Sequence, residues 1–211
     1  MEFSTFLQYV PKIAKETLPA TSAHAKMIPP NRFELLSNQD YASFNPRNAS
    51  VLMLLYPKNN ITHLVLILRN TYPGIHSSQI AFPGGKFELD DESFSHTALR
   101  ETHEEIGVPA HQITLIKAFT DYIPPSNFLV SPFLGFATNE LTFIPNEDEV
   151  SEIIEIPVSQ FLDDKILVTV AMTTDLHKNI QVPAFQINNH LVWGATAMMM
   201  SELKETLKSV F

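Results

Sequence analysis

The chain has 211 residues, 45% of them apolar, and a formal net charge of −9. That fits one medium globular domain, or one domain with a terminal extension, and is enough for a proper core. It contains no cysteine, which excludes disulfides, thiolate metal sites and cysteine nucleophiles; no basic stripe offsets the acidic balance, and no apolar run approaches the ~20 residues of a membrane span.

Residues 3–18 carry Phe3, Phe6, Leu7, Val10, Ile13 and Leu18 at helical spacing, predicting a packing helix that Pro11 kinks or divides. Glu2, Lys12, Lys15 and Glu16 interrupt those apolar residues, so the stretch does not read as a signal peptide, and a cytoplasmic location is expected. From Pro19 to Arg47 the pattern fades among Pro29, Pro30, Pro46 and several asparagines. This reads as an arm wrapping the domain, which gives an expected division into a helix and arm over 1–47 and a main domain over 48–211.

Residues 49–56 and 61–69 are apolar, β-prone runs, and Pro57-Lys58-Asn59-Asn60 between them is a hairpin signal. A polar loop covers 70–79, a short strand covers 80–82, and a helix is predicted from about Glu92 to Ile106. Strands follow over 113–119 and 128–136, separated by a loop with Pro124-Pro125. An acidic loop ending Asn146-Glu147-Asp148-Glu149 precedes a strand over 153–156. Pro157 opens a short helix, 166–172 and 180–187 form a hairpin, and Trp193-Gly194-Ala195-Thr196 opens a C-terminal helix to about Leu207. The order implies mixed α and β, with the central helix packed on a mixed sheet.

The chemistry concentrates at the end of that central helix, in Arg100-Glu101-Thr102-His103-Glu104-Glu105-Ile106-Gly107. At about 100° per residue, Glu101, Glu104 and Glu105 share one face, while Phe94, Ala98, Leu99, Thr102 and Ile106 occupy the adjoining arc. His103 points away from the acids. Each like-charge neighbour pair is unfavourable by roughly 0.2–0.5 kcal/mol, and Gly107 marks the helix end, where cations are preferred. A divalent cation bound by hard oxygen ligands removes the conflict, and Mg²⁺ or Mn²⁺ suits such ligands; the alternative is a solvated acidic face.

Together with Pro83-Gly84-Gly85, these residues resemble the Nudix box, Gly-x5-Glu-x7-Arg-Glu-apolar-x-Glu-Glu-x-Gly-apolar. Counting back from Arg100, the motif's first Glu falls on Glu92 and its Gly on Lys86, so Gly85 stands one residue early and the loop reads as carrying an insertion. Thr102 also replaces an aliphatic residue. The resemblance implies an α/β/α Nudix sandwich with an N-terminal helical extension and hydrolysis of a diphosphate joined to a nucleoside. It implies Glu101, Glu104, Glu105 and the Gly84 carbonyl as metal ligands, and Arg100 as a residue that orients the carboxylates. Glu92 is either a partner of Arg100 or an ordinary first-turn acid. Glu149, with Glu147 second, is the candidate distant base; the alternative is again a solvated loop.

Upstream, Arg69, His76, Gln79 and Phe82-Pro83-Gly84-Gly85 resemble the second signature of the coenzyme A diphosphatase branch, as does Trp193-Gly194-Ala195-Thr196. Arg69, His76, Gln79, Gly84 and Gly85 are thus the candidate substrate-binding residues; Arg69 is equally readable as a structural ion-pair partner, and a loop histidine such as His76 is more often structural or merely exposed. Trp193 reads as a buried anchor. Asn70, Gly74 and Ser78 depart from the Ser, Arg and Gly of that signature. The implied reaction splits coenzyme A or a derivative into 3′-phosphoadenosine 5′-phosphate and 4′-phosphopantetheine. ADP-ribose, dinucleotides or nucleotide sugars are the alternative substrates, and a non-catalytic nucleotide-binding module is the alternative class. No nucleic-acid or membrane partner is expected; a homodimer follows from the resemblance alone.

Overall fold

The protein is described by a computed structural model over residues 1–29, 45–70, 79–122, 127–172 and 180–211. Two long strands, β1 (Arg47–Lys58) and β2 (Ile61–Arg69), form its centre. Their hairpin turns at Asn59 and Asn60, with φ of 50° and 63°, a left-handed conformation that asparagine tolerates. Side chains alternate across both strands. Leu52, Leu54, Tyr56, Val65 and Ile67 face one layer; Met53, Leu55, Leu64 and Leu66 face the other. Apolar residues on both faces identify a sheet covered on both sides.

One cover is the central helix, α3 (Phe94–Ile106), which contributes Ala98 and Ile106 to the first core. The opposite cover combines α1 (Phe3–Lys15) with the C-terminal helix α5 (Gly194–Val210). Between α1 and α3 in sequence lies the short α2 (Thr21–Ala25), and the short α4 (Val158–Leu162) precedes the C-terminal hairpin. Pro11 lies inside α1 without dividing it. Ser93 caps α3 by accepting the His96 N–H at 3.1 Å, and Gly107 ends it at φ 73°. The helix therefore starts two residues later than the sequence reading placed it, because a serine hydroxyl can satisfy an orphan N–H and Glu92 does not do so here.

Among the described residues the main sheet has seven strands. β1 pairs in parallel with β6 (Phe128–Ala137) and antiparallel with β2, and β6 pairs with β5 (Ile113–Ala118). The other edge of β2 takes β7 (Val150–Pro157). β1 and β2 pair only near their turn. Further along, β1 pairs with β4 (Gly84–Lys86) and β2 with β3 (Ile80–Ala81). The Pro-Gly-Gly segment is thus seated where the two central strands part, and β4 is a strand where the sequence reading had only a turn. A second sheet holds β8 (Leu167–Met172), β9 (Ile180–Ile187) and the unforeseen β10 (His190–Val192). The three-layer α/β/α arrangement with a mixed sheet is the one expected.

On the α5 side the core contains charge. Glu202, fully buried, accepts from Thr120 Oγ1 at 2.6 Å and the Ala20 N–H at 3.1 Å, and faces His24 Nε2 at 3.2 Å. These contacts tie α2 and the end of β5 to α5. Burial by itself raises the Glu202 pKa, but the bonds from His24 and Thr120 outweigh it and hold the group below its ordinary 4.5. A depressed carboxylate pKa contributes stability that is complete above the unfolded value and disappears as pH falls through the folded one. Glu202→Ala, which strands His24 and Thr120, is expected to cost about 3–5 kcal/mol in urea unfolding. With Glu202→Gln, the gap in melting temperature to wild type should be full at neutral pH and close as pH drops below 4.5. A gap independent of pH would contradict the ionised assignment.

Candidate active site

Two glycines let the helix approach the parted strands. A Cβ on Gly84 would stand 2.3 Å from the Ser50 carbonyl oxygen, and one on Gly85 would stand 2.4 Å from the Glu101 carboxylate. Neither position has room for a side chain. With both open, the Gly84 N–H reaches Glu105 Oε2 at 2.8 Å. A strand and the last turn of α3 are joined through one carboxylate.

The three helix acids occupy different environments. Glu105 is buried; besides the Gly84 N–H, its Oε1 accepts from Arg69 Nη1 at 2.9 Å. Burial lifts its pKa to about 7 against the opposing pull of Arg69 and the Gly84 N–H, with Glu101 and Glu149 lifting it further. Glu101 is half-buried, and burial likewise raises its pKa, opposed by Arg100 and assisted by Glu104 and Glu149. Glu104 is exposed. The shared face is therefore graded from core to solvent.

Arg100 gathers the acids from the other side. Its Nε and Nη2 donate to Asp91 at 2.9 and 3.0 Å, Nη1 reaches Glu104 at 2.8 Å and Glu101 at 3.1 Å, and Nη2 also donates to the Lys86 carbonyl at 2.9 Å. Asp91 in turn accepts the Glu88 N–H and the Thr97 hydroxyl, each at 2.9 Å. The bonds from Arg100, stronger than the effect of burial, hold Asp91 well below the usual carboxylate range. This decides between the two readings of Glu92 and corrects the place of the insertion. Asp91, not the exposed Glu92, is the partner of Arg100. Asp91 also keeps the motif spacing from Gly85, so the additional residue lies between Asp91 and Arg100 rather than in the glycine loop. Counting forward from Gly85 as well as back from Arg100 exposes it.

The fourth acid arrives on the segment between β6 and β7. The Ile144 N–H donates to the Ile106 carbonyl at 3.0 Å and the Asn146 N–H to the Glu105 carbonyl at 2.9 Å, so this segment satisfies orphan acceptors at the helix end. Glu149 follows and is exposed, yet its charge raises the pKa of both Glu101 and Glu105. Glu147 is also exposed. The structure brings Glu101, Glu104, Glu105, Arg100, Arg69, Gly84, Gly85 and Glu149 to one end of α3. Gln79 is adjacent through its carbonyl, which accepts the Arg69 N–H at 3.0 Å. His76 lies outside the described residues. Trp193, expected to be buried, is half-buried at the start of α5.

Among the described residues no three acids or histidines converge into a ready cation cage. The carboxylates are instead shared with Arg69 and Arg100. The donor set still fits a hard divalent ion: all donors are oxygens, and Gly85 leaves a cradle beside Glu101. Such a group of acids can hold a cation against a phosphate, and the flanking Glu149 can accept a proton.

The NUDIX domain family matches residues 45–171. The uncharacterized Nudix hydrolase NudL of Yersinia pestis (strain Pestoides F) is 31% identical over 186 residues, covering 83% of this chain and 91% of the relative. The same figures hold for NudL of Yersinia pseudotuberculosis serotype O:1b (strain IP 31758). A Nudix hydrolase from M. smegmatis, RenU, superposes with a TM-score of 0.54 at 17% identity, over 79% of this chain and 88% of RenU. The NUDIX domain of Shewanella oneidensis NrtR, solved with ADP ribose, gives 0.51 at 16% identity, over 83% and 97%. At those identities the two structures establish the fold alone.

The reassignment of the arginine partner is directly measurable. Asp91→Asn removes the charge from a buried acceptor of four hydrogen bonds and is expected to cost about 1.5–3 kcal/mol in chemical denaturation. Glu92→Gln, at an exposed position, should stay within about 0.5 kcal/mol of wild type. Equal effects would return Glu92 to consideration.

Proposed function

Because this chain belongs to the Nudix hydrolases, which act on pyrophosphate bonds, we propose that its substrate is coenzyme A or a derivative and that a divalent cation, Mg²⁺ or Mn²⁺, serves the reaction. The observation that carries the catalytic part is the graded trio Glu101, Glu104 and Glu105, set against the Gly84-Gly85 strand and flanked by Glu149. The substrate part rests on the sequence resemblance of Arg69, Gln79, Phe82-Pro83-Gly84-Gly85 and Trp193-Gly194-Ala195-Thr196 to the coenzyme A diphosphatase signatures.

In this reading Glu101, Glu104 and Glu105 hold the cation, together with the Gly84 carbonyl. When bound, the cation neutralises phosphate oxygens and makes water more acidic. Arg100, anchored on Asp91, fixes the rotamers of Glu101 and Glu104 through charge-assisted bonds. Arg69 holds Glu105 as a carboxylate in a buried place that favours the proton. Glu149 takes a proton from the attacking water. A new bond forms from that water's oxygen to one phosphorus, the bond from that phosphorus to the bridging oxygen breaks, and the bridging oxygen leaves with the electron pair on the other phosphate. The products are 3′-phosphoadenosine 5′-phosphate and 4′-phosphopantetheine. His76 and Gln79 are the remaining candidates for substrate contact.

One observation favours a second substrate class. Gly74 stands where the coenzyme A signature has arginine, which removes a cation suited to an additional phosphate. ADP-ribose, dinucleotides and nucleotide sugars lack the adenosine 3′-phosphate and are the competitors. Incubation with Mg²⁺ or Mn²⁺ and a panel including coenzyme A, its 3′-dephospho form and ADP-ribose separates the two. Release of both expected products from coenzyme A at the highest kcat/KM supports the first reading; preference for ADP-ribose transfers the protein to the second.

The glutamate roles are tested where folding does not interfere. Glu104 is exposed, so Glu104→Gln should leave the melting temperature unchanged while lowering kcat by about 10²-fold or more. Gly85→Ala drives a methyl group into the Glu101 carboxylate and should reduce turnover comparably by displacing that ligand. Wild-type turnover in Glu104→Gln would remove the trio from the mechanism.

A further inference from the structure

The end of β2 does more than present Arg69. Asn70, immediately after it, donates its backbone N–H to the Glu149 carbonyl at 2.8 Å and its side-chain Nδ2 to the Glu147 carbonyl. Two residues before Asn70, the Leu68 carbonyl accepts the Ser151 hydroxyl at 3.0 Å. The β2–β7 pairing shifts register at this point: Leu68 opposes Glu152 and Arg69 opposes Val150, leaving Ser151 as the extra residue. A bulge of this kind redirects the strand that carries it. Here it turns the chain entering β7, which bears Glu149, toward the helix end where Glu101 and Glu105 stand.

The same segment is held at its other side by α3, through Asn146 to the Glu105 carbonyl and Ile144 to the Ile106 carbonyl. Residues 144–149 therefore bridge two supports. The helix end fixes the first half, and Asn70 fixes the half that carries Glu147 and Glu149. The Glu149 backbone is further tied by its own N–H to the Asn146 carbonyl at 3.0 Å. Glu149 is exposed, so no core packing restrains its position; hydrogen bonds to its backbone do. Asn70 supplies one of them from its main chain, and its side chain bonds the Glu147 carbonyl two residues earlier in the same segment.

We propose that Asn70 is a positioning residue for Glu149: its side chain docks the loop at Glu147 and so sets the distance between the loop acid and the helix acids. This departs from the coenzyme A signature noted above, in which the residue after Arg69 is serine. A serine hydroxyl is shorter than a carboxamide, so the reach to the Glu147 carbonyl belongs to asparagine. Arg69 and Asn70 then divide the labour: the first orients Glu105, the second orients the loop opposite it, and one strand end registers both halves of the site.

The inference rests on Glu149 acting in the reaction, and a double-mutant cycle separates the two claims. Wild type, Asn70→Ala, Glu149→Gln and the double variant are assayed on coenzyme A and on ADP-ribose with Mn²⁺, using whichever is cleaved. Asn70→Ala should lower kcat by about three- to tenfold, the value of one lost hydrogen bond, with KM within roughly twofold of wild type. In the Glu149→Gln background the same change should have no further effect on kcat, because there is no loop carboxylate left to place. Asn70→Ser should fall with Asn70→Ala rather than with wild type. A full additional loss in the double variant, or unchanged kcat in Asn70→Ala, overturns the positioning role. Unchanged kcat in Glu149→Gln overturns instead the assignment of Glu149 on which it rests.

Discussion

The structure depends on placing carboxylates where a helix least favours them. Glu101, Glu104 and Glu105 sit in the last turns of α3, at the negative end of its dipole, and Glu105 is buried as well. An isolated ionised carboxylate does not stay ionised in such a place. What makes the arrangement tenable is a set of donors: the Gly84 N–H and Arg69, from outside the helix, on Glu105, and Arg100, on the helix itself, between Glu101, Glu104 and Asp91. Each donor requires a feature of the surrounding fold, so the helix end dictates much of the rest.

The first such feature is the parting of β1 and β2. Were those strands paired along their whole length, no Pro-Gly-Gly segment could sit between them, and the Gly84 N–H would be used in a ladder rather than by Glu105. The second is the pair of open Cα positions. A side chain at Gly84 would push against backbone and one at Gly85 against the carboxylate itself, so both would drive sheet and helix apart. The third is Asp91. Its pairing with Arg100 keeps the guanidinium in the plane where it also serves the Lys86 carbonyl and two glutamates, a bidentate geometry that lysine could not reproduce.

The opposite face of the sheet follows different rules. There the core holds Phe6, Ile13, Leu203 and Leu207 in ordinary apolar contact, but also Glu202 and Lys204. Lys204 donates to the Phe161 and Asp163 carbonyls at the end of α4, a cation at a helix C-terminus, where the dipole favours it. These buried charges anchor α2 and α4 to α5.

The sequence by itself determined the elements and the reaction family. Continuous apolar runs, the asparagine turn and Gly107 fix β1, β2 and the end of α3 locally, since these signals act over a few residues. The spacing of Arg100, Glu101, Glu104 and Glu105 carries the Nudix resemblance for the same reason: one helix sets it. What only the tertiary structure decided are the pairings that join distant segments. Asp91 displaces Glu92 because Thr97 and the Glu88 N–H support it in a buried place just ahead of the helix, which linear counting does not register. Arg69 meets Glu105, and Asn70 meets the Glu147–Glu149 segment, across 36 and 77 residues of chain. Such contacts arise from strand register and from the burial that makes an unpaired carboxylate costly, and neither quantity exists until the layers have closed.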